Sequence, residues 1–289
     1  MQVSSSADDS RQSGFGRRRQ RLSDAETEQR MLRSAADAVA ATGLTVSLDH
    51  IRLEDVIRDA GVSRSTVYRR WPNKDLFLGD LLLDLARANA PKSATGSKEI
   101  TELVRRSVLA RLDAIRSPID RLQLAAELVR DTGQQDFQHI NESREWRTYL
   151  ALTVTFIGLP PGDLRDQIQE VLAESERAFT ARIAASHRTI ADLLGLRLRA
   201  GIDVTFETVG HLANAMMRGL IVKALATPSI ATERVAGDLY GATGDWSLAS
   251  LGLISVVMTY LEPDPDVTWD DKRVTQLRQQ LEETDDLFE

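Results

Sequence analysis

Gly61-Val62-Ser63 interrupts a helical pattern after two turns and restarts it at once, and few folds accommodate such a break. Upstream, Leu53, Val56, Ile57 and Ala60 recur at helical spacing on one face of a short segment. Downstream, Ser63 is a good N-cap for a segment from Arg64 to about Arg70, where Pro72 stops it. Glycine adopts a left-handed backbone without strain, so Gly61 can turn the chain sharply between two helices. Ala60 is small enough for close approach, and Val62 and Val67 can fill the angle between them. Asn73 then caps a further helix carrying Leu76, Phe77, Leu81, Leu82 and Leu85. Before the break, Ser23-Asp-Ala-Glu26 has the spacing of a capping box. Leu32, Ala35, Ala36 and Val39 form a helical stripe behind it that ends near Gly43. The pattern predicts a small bundle of short helices with a helix-turn-helix at 53–70.

Residues 90–97, Ala-Pro-Lys-Ser-Ala-Thr-Gly-Ser, have the composition of a linker. Beyond them the apolar residues keep a helical period over about 98–116, 119–132, 141–158, 163–195, 205–226 and 247–262. Breaks fall at Pro118, Pro160-Pro161, Gly201, Pro228 and Pro263. No strand-like alternation of useful length and no internal repeat is present. The expected fold class is all-α: an N-terminal three-helix helix-turn-helix domain followed by a larger helical bundle. Four regions are expected: a disordered basic arm over 1–22, the helix-turn-helix domain over 23–90, the bundle over 91–263 and an acidic tail over 264–289.

The net charge of −7 argues against a nucleic-acid partner until it is mapped. From Glu262 to Glu289 ten acids face three bases, so the remainder of the chain is neutral. Between Val62 and Lys74 stand Arg64, Arg69, Arg70 and Lys74 with no acid among them. Salt screens distant charge within about 8–10 Å, so the local cluster decides affinity for phosphate. The arm adds Arg11, Arg17, Arg18, Arg19 and Arg21, which either follow a groove or form a solvated tail. No apolar run follows them, so they do not read as a secretory signal. The longest uncharged run, Trp246 to Leu261, is short for a membrane span, and a cytoplasmic location is expected.

Catalytic chemistry finds little support. There is no cysteine, and His50, His139, His187 and His211 are far apart, without a metal-ligand spacing. No nucleophile elbow or phosphate-binding loop occurs. The expectation is a non-enzyme with no cofactor and no metal. By contrast, the first turn after Ser63 offers Arg64, Ser65 and Thr66, side chains that can reach base edges or phosphates. Tyr68 and Arg69 stand on the flank of that helix, where a DNA backbone would pass. Lys74 opposes the dipole at the start of the next helix, a position that an anion nearby would relieve.

The run Leu53-Glu-Asp-Val-Ile-Arg-Asp-Ala-Gly-Val-Ser-Arg-Ser-Thr-Val-Tyr-Arg-Arg-Trp-Pro-Asn-Lys-Asp-Leu-Phe77 closely resembles the TetR family of bacterial transcriptional regulators. The resemblance covers about residues 24–85. Between Gly43 and Ala60 the chain has a few residues more than the family pattern. The resemblance implies a homodimer that places two reading helices in successive major grooves of a pseudo-palindromic operator. It assigns Arg64 and Thr66 to bases, and Ser63, Tyr68 and Lys74 to phosphates. It also implies a small-molecule effector, of unknown identity, that releases the DNA from a pocket in the larger bundle.

For that pocket the large side chains Trp146, Tyr149, Phe156 and Met217 are candidates, with Arg105 or His139 as a polar anchor. Dimer contacts are expected from 205–226, where Gly210 and Gly219 permit close approach, and from the apolar 247–262. The resulting expectation is a repressor released from its operator by a ligand. The alternative is a DNA-anchored regulator whose bundle binds a protein partner.

Overall fold

The computed structural model describes residues 22–42, 48–89, 92–94, 96–284 and 287–288. The expected basic arm lies outside the described residues except for Leu22. Helix α1 (Asp24–Thr42) begins with the capping box: the Ser23 amide donates to Glu26 at 2.8 Å and the Glu26 amide to Ser23 Oγ at 3.1 Å. Its buried face is Thr27, Met31, Ala35 and Val39, one step round from the stripe centred on Leu32. Helices α2 (Leu53–Ala60), α3 (Arg64–Arg70) and α4 (Lys74–Ala88) follow with the expected caps. Leu53, Val56, Ile57, Val67, Phe77, Leu81, Leu82 and Leu85 are buried, whereas Leu76 is exposed.

The longer part of the chain contains α5 (Lys98–Leu109), α6 (Pro118–Glu142), α7 (Arg144–Gly158), α8 (Asp163–Leu193), α9 (Phe206–Ala226), the single turn α10 (Ser229–Thr232), α11 (Leu248–Val257) and α12 (Asp271–Glu283). Two of these helices differ from the periodicity. The segment 98–116 is not one helix: α5 stops at Leu109 and a separate 3-10 turn covers Ala114–Arg116. Helix α6 continues ten residues beyond 132, because Gly133 lets α11 approach closely rather than ending the helix. A Cβ there would lie 3.0 Å from Leu253.

Short strands supplement the helices. β1 (Leu196–Leu198) pairs antiparallel with β4 (Leu261–Pro263), and β2 (Arg234–Leu239) forms a hairpin with β3 (Ala242–Ser247). β3 meets the core at its two ends, through Ala242 and Trp246, and β2 is exposed along almost its whole length. No period-two apolar signal therefore marks the hairpin. Its turn uses positive φ at Tyr240 (56°) and Gly241 (82°), and the Asp238 carboxylate accepts from the Gly241 amide.

The stretch read as an acidic tail contains α12, which is capped by Asp270. Val274, Leu277 and Leu281 are buried along one side of it, and Leu287 is buried beyond its end. The Arg105 side chain donates to the carbonyls of Leu281 and Thr284, fastening the end of α12 to α5. Here three apolar residues at helical spacing outweigh an acidic composition.

Two apolar clusters result. One joins the buried faces of α1–α4 to α7, α8 and part of α9, so no break in the core follows α4. In particular, Gly79 of α4 lies against Leu164 of α8, where a Cβ would meet it at 3.3 Å. The other cluster unites α5, α6, α11, α12 and both short strand pairs. Helix α11 packs between α6 and α9 of its own chain, with Ala249, Ser250, Ile254 and Val257 buried. Its apolar surface is thus mostly covered without a second subunit.

Candidate nucleic-acid interface

The turn between α2 and α3 is fixed by local chemistry. Gly61 takes φ 65° and ψ 31°, and its amide and that of Val62 return to the carbonyls of Arg58 and Ile57 at 3.2 and 3.4 Å. Ser63 Oγ accepts from the Thr66 amide at 3.2 Å and lies 2.7 Å from the Thr66 hydroxyl and 3.2 Å from that of Ser65. Beneath, Val67 and Trp71 are completely enclosed. The Trp71 ring meets Phe77 edge-on at 5.1 Å, and its Nε1 donates to Asp80 at 2.8 Å. The inner face of α3 is thereby anchored, leaving Arg64 and Ser65 exposed and Thr66 half-buried on its first turn.

The charge picture differs from the linear sequence. The basic run over 62–74 contains no acid, but the fold brings acids to it from three other helices. Arg69 pairs with Asp24, and Arg70 with Glu28 at 3.2 Å and Asp80 at 3.1 Å. The Tyr68 hydroxyl donates to Glu54 at 2.7 Å. That bond holds the Glu54 carboxyl below its usual range and pushes the Tyr68 phenol up. Arg64 makes no ion pair among the described residues. Lys74 is half-buried in the first turn of α4, beside the Asn73 cap, whose side chain accepts from the Leu76 amide at 3.0 Å. Thus Ser63, Arg64, Ser65 and Thr66 share one outward turn. Tyr68 and Arg69 lie along its flank, engaged with carboxylates that only the tertiary fold brings near.

The pocket candidates separate. Trp146 and Tyr149 are buried in a cation-aromatic cluster with Phe179, and the Arg218 guanidinium lies 5.2 Å from the centroid of each of their rings. Trp146 Nε1 donates to the Lys92 carbonyl at 2.6 Å, and the Tyr149 hydroxyl donates to Glu176. Phe156 lies under the Arg165 guanidinium at 4.7 Å, His139 is exposed, and Arg105 is spent on the end of α12. Met217 alone of the six lines the cavity between α6, α8 and α9, a space of about 50 Å³.

That cavity has an apolar wall including Ile140, Phe179, Ile183 and Leu253. Its polar groups are Thr132, Asp136, His187 and Asn214; periodicity assigns three of them to helices without distinguishing them and leaves Asp136 between two segments. Burial lowers the His187 imidazole to about 4 and raises the Asp136 carboxyl. Among the described residues, no group of three His, Asp or Glu side chains is placed to hold a metal, and no helix is long and apolar enough to cross a membrane.

No family model matches the chain. Over 58 residues it is 43% identical to uncharacterized HTH-type transcriptional regulators of Mycobacterium tuberculosis, in strains H37Rv and CDC 1551, and of Mycobacterium bovis. The match takes in 20% of this chain and 29% of each relative. A crystal structure from Mesorhizobium loti, provisionally assigned to the TetR family of transcriptional regulators, aligns with 82% of this chain and 96% of its own. Its TM-score is 0.41 at 14% identity, too low to fix the arrangement of the helices or a function. The caps and the glycine turn give the N-terminal part of this chain a helix-turn-helix, the element that the names of these relatives carry.

Proposed function

We propose that the chain is a sequence-specific DNA-binding regulator of transcription, a repressor that a small molecule releases from a pseudo-palindromic operator. The observation that carries this reading is the first turn of α3. It is capped by Ser63 and pinned from below by Val67 and Trp71, and it presents to solvent an Arg64 that no carboxylate among the described residues meets at salt-bridge distance. Arg64 and Thr66 read bases in this scheme, with Ser65 beside them. Ser63, Tyr68, Arg69 and Lys74 hold phosphates, Tyr68 and Arg69 exchanging carboxylate partners for phosphate oxygens.

Release requires a connection from bundle to reader, and α4 supplies one. The helix follows α3 directly and packs on α7 and α8. A shift of α8 against α4 changes the tilt and spacing of two paired readers, which is a population shift between operator-matched and mismatched forms. The cavity favours a small effector over a protein partner. We assign dimerisation chiefly to α9. Its outward face carries Leu212, Ala215, Gly219 and Val222 at helical spacing, with Leu212 and Val222 strongly exposed. From 247–262 only the outer edge of α11 around Ser255, with Thr259 beyond its end, remains to contribute.

Selection of bound sequences from random DNA tests the reading. The expected product is an inverted repeat with half-sites about one helical turn or a multiple apart. Arg64→Ala should change preference at one position in each half-site by about 1–3 kcal/mol. Lys74→Ala should weaken all sequences alike and lower the salt slope by about one ion. Recovery of unenriched, asymmetric sequences would remove the sequence-specific dimer from consideration.

A further inference from the structure

The cavity beside α6 is built for one chemical class of ligand. Among the described residues no lysine or arginine lines it, and its one charged side chain is Asp136. An adjoining hollow shares Thr132, His187, Ile190 and Leu253 with it and has no charged lining, so His187 stands between two apolar spaces. His187 Nδ1 is buried without a hydrogen-bond partner among the described residues. A carboxylate or phosphate would be stripped of water here with no cation to receive it and a carboxylate facing it, which is strongly unfavourable. A protonated amine or a hydroxyl finds an acceptor.

Asp136 also reaches beyond the cavity. Its Oδ1 accepts from Ser93 Oγ and from the Ala94 amide, both at 2.7 Å, and these residues belong to the segment between α4 and α5. Oδ2 receives no donor among the described residues. One carboxylate thus forms part of the ligand wall and ties down the chain that leaves the reader's last helix.

We propose that this cavity binds an apolar molecule with a hydrogen-bond-donating, non-anionic head, best of all an amine, and that the head competes with Ser93 and Ala94 for Asp136. The proposal rests on the ligand-released reading and gives it a ligand class and a first mechanical step. When the head engages Asp136, the tether at residues 93–94 loosens and α4 gains freedom against α8. His187 takes a donor or acceptor on the body of the ligand, and Phe179, Ile183 and Met217 cover the remainder.

The test compares octylamine, 1-octanol and octanoate on the full chain by calorimetric titration, with the Ala94 amide followed by hydrogen exchange. Octylamine should bind at least about tenfold more tightly than octanoate, because octanoate would bury its charge where no lysine or arginine is among the lining residues, while the amine meets an acceptor in Asp136. In Asp136→Asn the advantage of the amine over the alcohol should fall to within about twofold. Amine binding to the unaltered chain should accelerate exchange at Ala94, a readout that does not depend on the variant's folding. A preference for octanoate, or an amine preference unchanged in Asp136→Asn, overturns the ligand class. No binding by any of the three overturns the cavity as the site for such molecules. Unchanged exchange at Ala94 with the amine bound overturns the coupling. Each of these failures leaves the operator selection, and hence the DNA-binding reading, standing on its own result.

Discussion

The reader and the cavity solve opposite problems with similar residue types. At the reader, polar and charged groups are exposed, and several are held by a partner a few ångströms away: Ser63 by Thr66, Tyr68 by Glu54, Arg69 by Asp24. In the cavity, His187 and Asp136 are enclosed by apolar walls, and His187 Nδ1 has no partner among the described residues. An exposed surface can keep its charges solvated and pre-paired at little cost, since exchanging one oxygen partner for another is nearly neutral. An enclosed site bears the full desolvation of a polar atom that finds no partner in the chain, as at His187 Nδ1, and there a ligand can offset it. The difference separates residues that tune affinity from residues that set stability.

The largest expected effect tests the reader's scaffold rather than its surface. Trp71 is enclosed, stacked edge-on against Phe77 and hydrogen-bonded to Asp80. Trp71→Ala should cost about 3–5 kcal/mol and leave Asp80 without one of its donors. Denaturant unfolding measures the loss. Because the apolar cluster under α3 continues through α4 into α8, the loss should appear in one transition for the whole cluster. A separate early transition confined to α1–α3 would show the reader to be energetically independent of the bundle.

A second effect belongs to the cavity. Burial holds His187 at about 4, against 6.5 when exposed. The folded state therefore binds fewer protons than the unfolded state between these values, and stability falls as pH drops from about 6.5 towards 4. The full loss is about 3 kcal/mol by the usual conversion of pKa to free energy. Asp136, whose carboxyl is raised by burial, works in the opposite sense as it takes up its proton. The measurement is thus a difference: His187→Leu should flatten the acid side of the stability profile relative to the parent. An unchanged profile would mean that water reaches the imidazole.

How much of this was legible in the sequence follows from the range of the interactions. Ser23, Gly61, Ser63 and Asn73 act within four residues, and each cap appears where its spacing places it. The all-helical expectation survives with two short strand pairs added, because β2 has no buried face to betray it. Leu277 and Leu281 carried a helical signal inside the acidic segment, but ten acids obscured it. The cavity was not legible. Asp136, His187 and Asn214 stand on three different helices, and only long-range packing brings them to one space. Trp146 and Tyr149 were singled out for size, and size brought them into the packed core beside Phe179 instead. The acids that meet Arg69 and Arg70 were missed for the same reason, since Asp24 and Glu28 precede them by more than forty residues.

Those acids give the smallest effect and the finest test of the comparison. Asp24 and Arg69 are both largely exposed, so their pair should contribute less than about 1 kcal/mol to stability. Asp24→Asn should accordingly leave the unfolding midpoint almost unchanged. On DNA its effect should be larger, because the substitution removes a negative charge from the reader's flank and frees the guanidinium for phosphate. Affinity should rise several-fold for all sequences alike, with most of the gain at low salt. Combining Arg69→Ala with Asp24→Asn should abolish the gain. If Asp24→Asn tightens binding and Arg69→Ala leaves that gain intact, Arg69 does not face the DNA, and general charge accounts for the change.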